Sequence, residues 1–165
     1  MNESSFATAA LYFRVGMEAS ILTDAQARDW ALKIVDACDT PPVEIVEVLA
    51  SRGSSHLHQC LKNVAGDGNL ELAGRWLLWD LSCELAASTV PEAQGTVARR
   101  AFHVAQSTAL DEDIQFTFNR LEDTINLFEM GYGGSPDEGR RELSDVLKQF
   151  AVRPELFPHT SGRSA

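Results

Sequence analysis

NLELAGRWLLWDLSCELAAST, residues 69–89, winds into a helix with two apolar faces rather than one. Leu70, Leu77, Leu78, Leu81 and Leu85 line the first face, and Leu72, Trp76, Trp79, Cys83 and Ala86 the second. Two narrow polar stripes separate them, Glu71/Arg75/Ser82 on one edge and Asp80/Glu84 on the other. Such a helix needs cover on both sides, so it is expected at the centre of the packing.

Upstream, Phe6, Ala10, Phe13 and Met17 repeat at helical spacing over about residues 4–19. Thr23 and Gln26 form a capping box that opens a helix with Ala27, Trp30, Ala31, Ile34 and Cys38 inside. Thr40 as N-cap with Pro41 at the first helical position then starts a third helix. Its core side is Ile45, Val46 and Leu49, and its outer side Glu44, Glu47 and Ser51. Ser54 and Ser55 cap a short helix through Val64, which Gly66-Asp67-Gly68 ends.

Downstream, Pro91 opens a sixth helix whose stripe is Val97, Ala101, Val104 and Thr108. Asp111, Glu112 and Asp113 put negative charge at the start of a seventh, where the helix dipole favours it. Ile114, Phe118, Leu121, Ile125 and Phe128 are its apolar stripe, and Gly131-Tyr132-Gly133-Gly134 its terminator. Ser135, Pro136 and Glu138 read as a second capping box before a last helix with Leu143, Val146, Leu147 and Phe150 inside. No segment alternates with period two long enough for a strand. The expectation is an all-α fold of about eight helices around 69–89, as a compact bundle or a short helical stack. Residues 1–152 read as one domain and 153–165 as a C-terminal tail.

The 165 residues suffice to bury a core without metal or disulfide support. No apolar run approaches the roughly 18 residues of a membrane span, and the N-terminus lacks a signal-peptide pattern. Cys38, Cys60 and Cys83 are widely spaced and sit beside apolar residues, as expected of reduced, packed thiols in a cytoplasm. The net charge of −10 is uneven: −5 over residues 1–50, zero over 51–110, −6 over 111–150 and +1 over the remainder. The chain has no basic stripe with which to neutralise phosphates, which argues against nucleic-acid binding. The acidic balance suits association with a basic protein.

Four constellations could carry chemistry. Glu44-x-x-Glu47 and Asp80-x-x-x-Glu84 are carboxylate pairs of the type that holds Mg²⁺ in helical phosphohydrolases, and equally an ordinary solvated face. If Asp80 and Glu84 are buried they need partners, and Arg99 and Arg100 are the candidates. His56 and Cys60 stand one turn apart but lack further zinc ligands. The glycine segment after the seventh helix has neither the strand nor the lysine of a phosphate-binding loop. No nucleophile signature accompanies the serines. No catalytic residue, metal or cofactor is therefore expected.

The segment Ile21-Leu22-Thr23-Asp24-Ala25-Gln26, Trp30-Ala31, Ile34, and Pro41-Pro42-Val43-Glu44-Ile45-Val46-Glu47 resembles the opening of a loose group of small all-helical bacterial proteins. Some of that group look like immunity partners of secreted toxins. The resemblance implies a non-enzymatic, cytoplasmic binding protein that occludes a basic partner such as a toxin domain. The acidic positions expected to face it are Glu44, Glu47, Asp111, Glu112, Asp113, Glu122 and Asp123, with Tyr132 as an exposed aromatic contact. Two other classes stay open: a magnesium-dependent phosphohydrolase using Glu44, Glu47, Asp80 and Glu84, and a structural subunit of a helical homo-oligomer.

Overall fold

The computed structural model describes residues 5–90 and 92–157, and its regular structure consists of eight α-helices, with no strand among the described residues. They are α1 (Phe6–Glu18), α2 (Asp24–Ala37), α3 (Val43–Ala50), α4 (Gly53–Lys62), α5 (Leu70–Ala87), α6 (Ala93–Ser107), α7 (Glu112–Glu129) and α8 (Pro136–Phe150). Pro91, expected to open the sixth helix, lies outside the described residues, as do Ser4 and positions 158–165 of the expected tail.

Helices α5 to α8 close a four-membered ring in which each packs on the next and α8 returns to α5. The ends fix their directions. At one end Arg75 of α5 donates to the Phe150 carbonyl at 3.2 Å, and the Val152 amide donates back to the Arg75 carbonyl at 3.1 Å. At the other end Arg140 of α8 donates to the carbonyls of Leu85 and Ser88, which the end of α5 leaves unpartnered. The start of α5 thus lies by the end of α8, and the reverse. With short connections between them, the four helices form an up-down-up-down bundle, the first of the two expected architectures.

The buried side chains of these four helices include Leu77, Leu78, Leu81 and Leu85 of α5, Val97, Ala101 and Val104 of α6, Ile114, Phe118, Leu121 and Ile125 of α7, and Leu143 and Leu147 of α8. Full burial of each large side chain contributes roughly 1.5–3 kcal/mol. Gly74 lets α5 approach the end of α6, because a Cβ there would run into the Thr108 side chain.

Helix α1 joins this bundle to the remaining three. It packs on α5 and α4, while α3 packs between α2 and α4. An aromatic seam ties α1 to its neighbours: the Phe13 and Trp30 rings stand 5.2 Å apart, and those of Tyr12 and Trp76 5.8 Å. The Trp30 indole N–H donates to the Leu156 carbonyl at 3.1 Å, so the chain after α8 reaches back across the molecule to α2.

The structure adds a second centre that the sequence did not signal, α1 beside α5. Ala7, Thr8, Ala9, Ala10, Tyr12, Phe13, Val15 and Gly16 are all buried, so α1 is enclosed on nearly every side. Small residues let its neighbours come close: a Cβ on Gly16 would lie 2.8 Å from Leu77 Cδ2. Conversely, the second face of α5 is only half covered. Thr8 Oγ1 accepts from the Asn69 amide, and Gly16 lies against Leu77, so α1 runs parallel to α5 and ends before it does. Trp76 is covered, whereas Trp79, Cys83 and Ala86 on the last turns are exposed.

Several local expectations change as well. Pro42, not Thr40, is the N-cap of α3, and Val48 replaces Val46 in the core, with Val46 exposed. Arg52 precedes α4, and its amide donates to His56 Nδ1 at 3.1 Å, while Ser54 donates to the Asp24 carboxylate of α2 instead of capping. The capping box of α2 is complete, but at α8 only the Ser135 half is made. Of the three thiols only Cys60 is buried, with Cys38 half-buried and Cys83 exposed.

Candidate functional site

Helix α7 turns one face to the bundle and the opposite one to solvent. Successive residues advance by about 100°, so Ile114, Phe118, Leu121 and Ile125 share the buried side. Glu112, Phe116, Asn119, Asp123, Leu127 and Met130 fall on the opposite side, and all are exposed. Three of these are large and apolar, with Phe116 66%, Leu127 51% and Met130 71% accessible.

The end of α7 gathers two of them beside Tyr132. Gly131 adopts φ of 86°, the Gly131 amide donates to the Phe128 carbonyl at 3.0 Å, and the Tyr132 amide donates to the Leu127 carbonyl at 2.9 Å. This paired bonding is a Schellman closure, which folds the chain back so that Tyr132 returns to the turn carrying Leu127. Only a residue that tolerates positive φ closes the turn in this way, which explains the glycine. Phe116 lies further along, about 17 Å from Leu127 at 1.5 Å rise per residue.

The charges on this face are mainly negative. Asp111, Glu112 and Asp113 are exposed at its start, with Asp111 at the N-cap position, and Asp123 is exposed at its middle. Arg120 is the only cation on α7, and it faces Glu142 of α8 at 3.6 Å. Glu122 points to a flank, half-buried and 3.7 Å from Arg99 of α6.

The expected contact residues therefore do not converge on one patch. Glu112 and Asp123 share the outer face of α7, Asp111 and Asp113 flank its start, Tyr132 lies just past its far end, and Glu122 is engaged with α6. Glu44 and Glu47 belong to α3, which packs on α2 and α4 on the other side of α1. Phe116, Leu127 and Met130 lie outside the buried stripe of α7, which is the stronger apolar periodicity of that helix. Their spacing of 11 and 3 residues, half a turn away from that stripe, was the available signal.

The carboxylates considered for magnesium are likewise apart. Tyr12 Oη donates to Asp80 Oδ2 at 2.6 Å, and Arg100 donates to Glu84 at 3.0 Å. Burial raises the Asp80 pKa above the usual carboxylate range, and the Tyr12 hydrogen bond opposes that rise. The Tyr12 phenol is pushed far up by burial, then by the Asp80 charge and hydrogen bond, so it remains the proton donor. Arg100 takes the expected role beside Glu84, but Asp80 turns to Tyr12 rather than to Arg99 or Arg100. His56 is exposed and serves the start of α4, whereas Cys60 is buried, so the two do not share a ligand position. Burial, and then the charge of Glu47, raises the Cys60 thiol. Among the described residues no group of three or more His, Cys, Asp or Glu is placed to hold a metal ion, and no helix is long and apolar enough to cross a membrane. Comparison of the chain with protein families, with curated proteins and with solved structures finds no match.

Proposed function

We propose that this chain is an acidic helical binding protein that docks on a basic protein partner through the outer face of α7. The observation that carries the reading is the alignment of Phe116, Leu127 and Met130, all exposed, with Glu112 and Asp123 on the side of α7 opposite the core, and with Asp113 exposed on its flank. Apolar anchors hold a complex once water is excluded, and surrounding carboxylates guide a cationic surface onto them. A second copy of the chain fits this face poorly, since a two-fold contact sets like carboxylates against each other. An immunity or antitoxin role against a toxin domain, in a cytoplasm, is the most concrete form of the proposal.

The test is affinity capture from the native cell extract with two baits, the unaltered protein and Phe116→Ser/Leu127→Ser/Met130→Ser. All three side chains are exposed, so the variant should fold as the parent does. A basic protein retained by the first bait, lost from the second and released by rising salt supports the reading. Equal retention by both baits rejects the α7 face.

A further inference from the structure

On the far side of α1 from α5 lies a polar groove of about 420 Å³, lined by Arg14 and Glu18 of α1 and by Ser55, His58, Gln59 and Lys62 of α4. The α4 residues fall at i, i+3, i+4 and i+7, so one face of that helix supplies its wall. The opposite α1 wall carries Arg14 one turn from Glu18. The groove reverses the charge of the molecule: two permanent cations face one carboxylate in a chain of net charge −10. Glu18 stands 3.7 Å from His58 Nδ1, while Arg14 and Lys62 form no ion pair among the described residues.

The chemistry of the wall selects a ligand class. Arg14 and Lys62 offer charge and hydrogen-bond donors suited to a doubly charged oxyanion. Glu18, Ser55 and the Gln59 amide offer mixed donors and acceptors suited to hydroxyl groups. The lining holds no Phe, Tyr or Trp on which a nucleobase could stack. The groove is larger than phosphate alone requires, and because it is open and polar a hydroxylated body suits it better than an apolar one. We infer that the α1–α4 groove binds a phosphate monoester of a small polyol, with the phosphate held by Arg14 and Lys62 and the hydroxyls by Glu18, Ser55 and Gln59.

Isothermal titration of the full chain with glucose 6-phosphate as probe, and with glucose and inorganic phosphate as comparisons, tests this assignment. Glucose 6-phosphate should bind more tightly than either comparison compound. Lys62→Ala and Arg14→Gln should each weaken it by about tenfold, the loss expected for one charged hydrogen bond. Arg141→Ala, which removes an exposed cation on α8, should change nothing. Lys62 is exposed at the end of α4, so its removal leaves the fold intact even if Arg14→Gln does not. Absence of binding, or affinity unchanged in Lys62→Ala, overturns the site. Equal affinity for inorganic phosphate and the sugar phosphate overturns the polyol assignment.

Discussion

Tyr12 and Asp80 join α1 to α5, and the hydrogen bond of 2.6 Å between them is the link most exposed to titration. Burial raises the Asp80 pKa above its unfolded value, so the proton is held more tightly in the folded state. The stability contributed by that excess affinity is complete below the unfolded pKa and is lost as pH rises through the folded one. The tyrosine hydroxyl works in the other direction, because it favours the ionised carboxylate. Tyr12→Phe should therefore lift the Asp80 pKa further and cost roughly 1–2 kcal/mol near neutral pH, where a half-buried carboxylate loses its donor. That cost should shrink as pH falls through the raised pKa, which urea unfolding of both proteins in neutral and mildly acidic buffer would measure. A pH-independent difference would assign the loss to packing alone. A second residue-scale case is Ala109, which closes α6 at φ of 50°, a conformation in which L side chains are strained. Its neighbour Leu110 is buried and donates to the Ala105 carbonyl at 3.0 Å, so the turn cannot relax without dislodging a core residue. Ala109→Gly should relieve that strain and raise stability by up to about 1 kcal/mol, read as a higher Tm.

Among the elements, α5 and α8 depend on each other through their ends. Arg140 donates to the Leu85 and Ser88 carbonyls, and Arg75 to that of Phe150, so each helix terminus is completed by a side chain from its antiparallel neighbour. Arg140→Met keeps the length of the side chain but removes its donors. Amide exchange should then accelerate over the last turn of α5 and the segment before α6, with little change near Arg75, and stability should fall by about 1–3 kcal/mol. Uniform acceleration across the bundle would contradict this local role. Such long-range caps leave no mark in the sequence, because nothing near Leu85 announces an arginine more than 50 residues on. Local signals were legible: Thr23 with Gln26 marked α2, and of the apolar stripe expected on α7 Ile114, Phe118, Leu121 and Ile125 are buried, while its last member, Phe128, is half-buried. What escaped was the enclosure of α1, since alanine and glycine carry little hydrophobic contrast yet permit close approach. The open end of the α5 second face escaped for a related reason. Apolar periodicity states what a helix could bury, and the length of its neighbour decides how much of it is buried.

Across the whole molecule the charges divide by location: carboxylates dominate α7 and the N-terminal helices, while the central helices and the α1–α4 groove are neutral or cationic. A basic partner approaching from any direction meets a field drawing it toward acidic helices, and the apolar side chains that hold it act only on contact. The two contributions to binding are therefore separable in rate. Glu112→Gln/Asp113→Asn/Asp123→Asn removes three exposed charges from α7 without touching the core. Association with the captured partner should slow by roughly tenfold at low ionic strength, and the deficit should fade in high salt, with dissociation little altered. Phe116→Ala together with Met130→Ala should do the reverse, leaving association nearly unchanged and hastening dissociation. Surface plasmon resonance at two salt concentrations separates these outcomes. If the charge variants instead hasten dissociation in both salts, the carboxylates are buried contacts and not steering groups. If the apolar pair alters neither rate, the partner sits elsewhere, and the acidic face of α3 with Glu44 and Glu47 becomes the surface to alter.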